Sequence, residues 1–311
     1  MTPFAGSILV TGASGFVGRH LMTALAAAYP GATLYTGPVE LLDTAAVDKA
    51  VRDASPEICI HLAAVSAIAT AQSDPDHAWQ VNLHGTLHVA RSLSRHAPDC
   101  LMLFISSADA YGASFRSGAS LDENAPLAPM NVYAETKAAA DLALGGMAAR
   151  GLRVVRLRPF NHTGPGQSAD FVVASFARQI ARIAAGLQDP LLQVGNLDTW
   201  RDFLDVRDVC AAYVACINRR DTLVPGMILN VASGQARCVG DVLRELATLA
   251  AVEIQVTVDR SRVRDTDIRS ASGDASRARE ILGWMPRISW QETLCDVLAD
   301  WYRRVREGAG T

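Results

Sequence analysis

Short apolar, β-branched runs alternate with longer stretches of helical period along the first half of the chain. Ser7 to Val10 is followed by Gly18 to Ala28, Ala32 to Thr36 by Thr44 to Ala54, and Glu57 to Leu62 by a long helical stretch from about Asp76 to Arg95. Leu101 to Ser107, a second long stretch from about Val132 to Arg150, and Arg153 to Leu157 continue the rhythm. Each crossover is long enough to join parallel strands. Runs such as Ile8-Leu9-Val10 lack polar alternation, which predicts strands covered by helices on both faces. The expected fold is therefore α/β, with a doubly wound parallel sheet. After Arg158 the pattern changes to clustered glycine and proline (Gly164-Pro165-Gly166), an amphipathic stretch near Phe171 to Ala185, and short strands between loops. This predicts a first domain over 1–160 and a smaller substrate-binding lobe over 161–311, with some of its segments packing back on the first. No Ser/Gly-rich or charged linker separates the two, so a cleft between closely packed lobes is expected.

Composition narrows the class. The 311 residues are 50% hydrophobic and 20% charged, which is the ordinary globular range with ample length for a core. The net charge of −3 supplies no basic field, which argues against a nucleic-acid partner. Apolar runs fall short of the roughly 20 residues that cross a bilayer, and a strand-like run starts at Ser7. A soluble protein without a signal peptide or a membrane partner is expected. The six cysteines are scattered without a CxxC pair, which favours buried thiols in a reducing cytoplasm over a metal site.

Three segments carry candidate chemistry. Thr11-Gly12-Ala13-Ser14-Gly15-Phe16-Val17-Gly18 follows the first strand and opens the first helix. Gly12 and Gly15 would let the backbone turn tightly against a pyrophosphate, Gly18 would let helix and strand pack closely, and the free N–H groups of the helix start would face the anion. The stretch Tyr35-Thr36-Gly37-Pro38, where an acid or an arginine usually selects between the two nicotinamide dinucleotides, holds neither. Glu40 or Asp43 could reach the adenosine end, and the choice between NAD and NADP stays open. Tyr133-Ala134-Glu135-Thr136-Lys137 places a phenol and an ammonium four apart on one helix face. The cation is expected to draw the phenol toward neutrality, so that Tyr133 exchanges a proton with a substrate oxygen. Finally, the strand Phe104-Ile105 runs into Ser106-Ser107 at its carboxyl end, where ligands bind in open α/β sheets, and a serine there can donate to the same oxygen.

In this order the segments resemble the extended short-chain dehydrogenase/reductase family of NAD(P)-dependent sugar-nucleotide epimerases, dehydratases and reductases. His61-Leu62-Ala63-Ala64, Asn82-Leu83-His84-Gly85-Thr86 and Arg158-Pro159-Phe160-Asn161 extend the likeness over nearly the whole chain. The resemblance implies a Rossmann-type sheet, Tyr133 as acid/base, Lys137 as its partner and Ser107 as the serine four before Tyr111. It also implies cofactor contacts from Gly12, Ser14, Gly15, Phe16, Val17, Gly18, Glu40, Leu41, Leu62, Ala63, Ala64, Asn82, Tyr133, Lys137 and Pro159. For the substrate it implies Ser107, Asp109 and Asn161, with Arg201 and Arg264 on a pyrophosphate. A homodimer through the two long helices is implied as well. Arg158 to Gln167 and Gly195 to Val209 look most like the branch that reduces GDP-4-keto-6-deoxy-D-mannose to GDP-D-rhamnose. In Ser107-Ala108-Asp109, Ala108 cannot serve as an acid and Asp109 reaches less far than a glutamate, which disfavours dehydration. A 4-epimerase or 4,6-dehydratase remains the alternative, and a non-enzymatic dinucleotide sensor a more distant one.

Overall fold

The computed structural model of the protein describes residues 4–259 and 268–308. Strand β1 (Ser7–Thr11), helix α1 (Phe16–Ala28), β2 (Thr33–Tyr35), α2 (Thr44–Ala54) and β3 (Ile58–His61) form the opening alternation. Helices α3 (Ile68–Ser73) and α4 (Pro75–Trp79), a π-helical segment (Gln80–Gly85) and α5 (Thr86–His96) lead to β4 (Leu101–Ile105). A 3-10 segment (Ala108–Ser117) and α6 (Val132–Ala148) precede β5 (Val154–Pro159) and β6 (Asn161–Thr163). The remainder comprises α7 (Val172–Ala184), β7 (Leu191–Val194), β8 (Trp200–Asp205), α8 (Val206–Asn218), β9 (Ile228–Val231) and β10 (Ala236–Cys238). It closes with α9 (Val239–Ala250), β11 (Gln255–Val258), β12 (Ser270–Ala271), α10 (Ser276–Leu282) and α11 (Trp290–Arg306).

The main sheet is all parallel, in the order β2-β1-β3-β4-β5-β9. The chain reverses its direction of travel at β1, so the carboxyl ends of β1 and β3 flank the crevice that such a reversal opens. Alternate residues feed two cores. Ile8, Val10, Ile60, Leu103 and Leu157 pack toward α8 through Cys210 and Tyr213, whereas Leu9, Cys59, Met102 and Phe104 pack toward Val47, Leu93 and Leu144. Each buried aliphatic or aromatic side chain stabilises by about 1.5–3 kcal/mol, which explains the uninterrupted apolar runs. A separate core holds Phe176, Ile180, Leu192, Phe203, Leu243 and Trp301. Strand β8 divides the two regions: Phe203 belongs to this core and Leu204 to that of the main sheet.

The single helix expected over Asp76 to Arg95 is instead a succession of α4, the π-helical segment and α5. Asp74 starts a new helix by accepting from the His77 N–H with Pro75 at its first position. The wider π turn brings Asn82 and Thr86 inward, both 1% exposed. Between the two cores, the Gly164 to Gln167 loop is held from both sides. Arg19 donates to the Gly166 carbonyl (3.0 Å) and Gly166 N–H donates to Asp300 (2.8 Å), while Arg304 donates to the Gln167 carbonyl (3.1 Å). Asp202, fully buried on β8, accepts from the N–H groups of Ser233, Gly234 and Gly273 and so ties β8 to two loops. Among the described residues, no helix is long and apolar enough to cross a membrane.

Candidate active site

The glycine-rich turn sits at the carboxyl end of β1. Gly12 has φ +76°, a left-handed conformation that suits glycine, and a Cβ there would lie 2.7 Å from the Ala63 nitrogen. A Cβ at Gly18 would lie 2.3 Å from the Gly12 carbonyl oxygen, so this pair sets how closely helix and strand approach. Helix α1 begins after Gly15 without a side-chain cap, which leaves its first-turn N–H groups for an anion. Ser14 and Gly15 are exposed at this end, Phe16 stacks on His162 with centroids 6.2 Å apart, and Val17 is half-buried. Leu62, Ala63 and Ala64 leave β3 alongside, and Pro159 ends β5. Glu40 accepts from the Leu42 N–H (3.3 Å), Leu41 is buried, and Asp43 caps α2.

A buried chain of hydrogen bonds runs from this turn to α6. The Thr86 hydroxyl donates to the Asn82 carbonyl (2.7 Å), so His61 Nε2 donates to Thr86 (2.9 Å). Burial, helped by the Lys137 charge, pushes the His61 pKa down to about 3, so the imidazole is neutral and its Nδ1 accepts from Thr11 (2.7 Å). The Asn82 amide donates to the Val65 carbonyl (3.0 Å) and to Thr136 (2.9 Å), and Thr136 donates to the Tyr133 carbonyl (2.8 Å). Thr86→Val removes the acceptor of a buried histidine. It is expected to cost about 1–3 kcal/mol, read as a lower urea midpoint with unchanged slope.

Asn131 caps α6 through the Ala134 N–H (2.9 Å), which places Tyr133 and Lys137 in its first two turns. Ser107 follows β4 and accepts from the Asp109 N–H (3.1 Å), and its hydroxyl hydrogen-bonds the Tyr133 phenol. The phenol pKa lies well above its ordinary 10: burial raises it most, the nearby Asp109 carboxylate raises it further, and the Ser107 bond only partly opposes them. This differs from the expectation that Lys137 draws the phenol toward neutrality. Desolvation outweighs the cation, because Lys137 turns its ammonium to the Ile105 carbonyl and to the face of Phe104, 4.8 Å from the ring centroid. Burial draws Lys137 itself from 10.5 to about 8, with Asp141 opposing. At neutral pH the site therefore holds a protonated phenol and a charged amine.

Ser107, Tyr133 and Lys137 thus converge at the carboxyl end of β4, beside the residues that leave β3 and β5. Asn161 is exposed on β6, next in chain to that edge, and Asp109 is half-buried beside Tyr133. Arg201 lies on β8, the strand that pairs with β6, and its Nη1 donates to the carbonyls of Trp200 (2.9 Å) and Ile268 (2.7 Å). Asn82 points its amide into the protein, and Arg264 lies outside the described residues. The sequence reading missed His61 and Thr86 as linked partners and missed Asp141 altogether. Their signal was polar residues set in otherwise apolar strands and helices.

A family model for GDP-mannose 4,6 dehydratase matches residues 31–297. The chain belongs to this family. It lies within the extended short-chain dehydrogenases/reductases, and the Rossmann-type fold agrees. Another member of that wider family, GDP-6-deoxy-D-mannose reductase of Pseudomonas aeruginosa, is 39% identical over 303 residues, covering 96% of this chain and 98% of the relative. GDP-6-deoxy-D-talose 4-dehydrogenase of Aggregatibacter actinomycetemcomitans is 28% identical and covers 89% of this chain and 91% of its own length. Among solved structures, RMD from P. aeruginosa complexed with NADPH superimposes with a TM-score of 0.86 at 36% identity, covering 96% and 99% of the two chains. The Thermus thermophilus UDP-glucose 4-epimerase complex with NAD gives 0.83 at 25% identity, covering 94% and 98%.

Proposed function

We propose that this protein reduces the 4-keto group of a 4-keto-6-deoxy nucleotide sugar, with GDP-4-keto-6-deoxy-D-mannose as substrate and GDP-D-rhamnose as product. The observation that carries the reading is the convergence of Ser107, Tyr133 and Lys137 at the carboxyl end of β4, beside the glycine-rich turn, in a chain 39% identical to a GDP-6-deoxy-D-mannose reductase. In the reduction Tyr133 is the proton donor. A GDP-6-deoxy-D-mannose reductase and a GDP-6-deoxy-D-talose 4-dehydrogenase among the relatives support the same substrate class.

The uncapped start of α1, the Gly12 turn and the open edge at Ser14 and Gly15 fit a dinucleotide pyrophosphate, with Leu62 to Ala64 and Pro159 along its groove. The reduced dinucleotide supplies the hydride. Ser107 donates to the substrate O4, and Tyr133 delivers its proton to that oxygen as negative charge develops there. Lys137 stabilises the phenolate left behind and orients the ribose side of the site. Asn161, Arg201 and Arg264 serve the substrate diphosphate, and Asp109 lies against the hexose. Residues 1–160 act as the dinucleotide domain and 161–311 as the sugar-nucleotide lobe, with β9, α8 and α10 returning to the first core.

The test mixes purified protein with NADPH and GDP-4-keto-6-deoxy-D-mannose and follows absorbance of the reduced nicotinamide. One equivalent consumed per product formed is expected; turnover of UDP-glucose or GDP-mannose without net consumption would replace the reading with the epimerase or dehydratase one. NADPH is the expected cofactor, because Tyr35 to Pro38 presents no carboxylate to repel a 2′-phosphate and the P. aeruginosa neighbour is complexed with NADPH. A kcat/KM preference over NADH of roughly tenfold, about 1.4 kcal/mol, is expected in the same assay. The protein works as a cytoplasmic homodimer, supported by six free thiols and by Leu142, which stands 62% exposed on α6; light scattering reads the mass.

A further inference from the structure

Tyr133, Lys137 and Asp141 stand at successive turns of one face of α6, four residues apart each time. Asp141 has no exposed surface and Lys137 only 4%. The Asp141 carboxylate is gripped from β5. Arg158 donates to Oδ2 through Nε (3.0 Å) and to Oδ1 through Nη2 (2.9 Å), and Arg156 Nη1 donates to Oδ1 (2.9 Å). The grip is anchored in turn, since Arg158 donates to the Tyr111 hydroxyl (3.0 Å), which donates to Asn230 (2.7 Å), and Arg156 donates to the Gly226 carbonyl (2.7 Å). Two arginines for one acid is more cation than a structural ion pair requires, and the acid's next neighbour along the helix is the Lys137 ammonium.

We propose that Asp141 is a positioning residue that keeps the Lys137 ammonium charged one helical turn from Tyr133, with Arg156 and Arg158 holding the Asp141 carboxylate in place. This rests on the reading of Lys137 as the partner of Tyr133. The other elements around Lys137 offer no competing anion among the described residues. β3 presents the neutral His61, β4 presents the Ile105 carbonyl and the Phe104 ring, α6 presents Tyr133 and Asp141, and the β5 arginines stand behind Asp141. Asp109, a further carboxylate near the site, acts on Tyr133. Against the desolvation that would raise it, the Arg158 fork and both guanidinium charges hold Asp141 below the usual carboxylate range, so it is an anion throughout the working pH. In a site shielded from water, an anion one turn away offsets the desolvation that pulls Lys137 toward its neutral form.

The test titrates Lys137 by NMR in selectively labelled protein, with Lys137→Met assigning the signal and Asp141→Asn, Asp141→Glu and Arg156→Met compared with the parent. Titration near pH 8 is expected for the parent, at least one pH unit lower in Asp141→Asn, and restored in Asp141→Glu. Arg156→Met removes a cation, leaves Asp141 paired with Arg158, and should move the titration upward. If Asp141→Asn fails to fold, the double variant Asp141→Asn/Arg156→Met, which removes the acid together with one of its cations, carries the test: its Lys137 titration should still fall below the parent's, whereas an acid that serves only the arginines leaves it at or above the parent's. An unmoved Lys137 titration in folded Asp141→Asn, or one not lowered in the double variant, overturns the proposal. In reduction assays the alkaline limb of kcat/KM should move with the NMR titration. Shifts by NMR without any ketosugar turnover would sink the reductase reading and leave the Asp141 assignment standing.

Discussion

Tyr133→Phe is expected to lower kcat for the ketosugar by about 10²- to 10⁴-fold while leaving dinucleotide binding intact, because it removes one proton and little else. The phenyl ring keeps the packing of α6, whose cap at Asn131 and whose Thr136 bond to the residue-133 carbonyl both use the backbone. Ser107 loses its hydrogen-bond partner but stays in place as the cap of the 3-10 segment through the Asp109 N–H. Steady-state kinetics read the loss in kcat, and fluorescence titration with NADPH reads the unchanged binding. Near-normal turnover would remove Tyr133 from its role.

Lys137→Met should be at once inactive and more stable. Keeping a proton on a group whose pKa has fallen from 10.5 to about 8 costs on the order of 3 kcal/mol at pH 7, and methionine fills a similar volume without that charge. Between pH 8 and 10.5 the unfolded chain binds more protons at Lys137 than the folded protein, so the parent gains stability as pH rises through that window. The variant has no such gain. Urea denaturation at pH 7 and at pH 10 checks both statements, and loss of roughly 10³-fold in kcat checks the catalytic one. A parent whose stability is flat across the window would contradict the account. The site thus trades stability for a charge placed where the reaction needs it.

The features legible in the sequence were those set by local rules. Gly12, Gly15 and Gly18 announced a tight turn between a strand and a helix, and a four-residue spacing put Tyr133 and Lys137 on one face. Uniformly apolar strands announced a covered parallel sheet. What escaped depends on partners distant along the chain. Asp141 lies in an alanine-rich helix and its arginines in Val154–Pro159, so each looked like a stray charge until the fold joined them. Arg158 stands in a segment that resembles nucleotide-sugar sites, and nothing local to that segment announces its pairing with Asp141. The π turn at Gln80–Gly85 was hidden because one extra residue in a helix barely disturbs an apolar period. The Tyr133 phenol was expected to be more acidic because spacing reports neighbours and says nothing of desolvation, which here is the larger effect.

Strand β9 has a consequence for synthesis. The sheet's last position, beside β5, is filled by residues 228–231, and α8 between them covers the face that β5 and its neighbours present. A gene cut after residue 160 would therefore yield a polypeptide with an unpaired border at Arg156 to Pro159 and an uncovered oily surface, prone to precipitate in place of dinucleotide capture. A growing chain on the ribosome meets the same interval, and holdase chaperones that shield such borders should improve recovery more than slower translation of the first half alone.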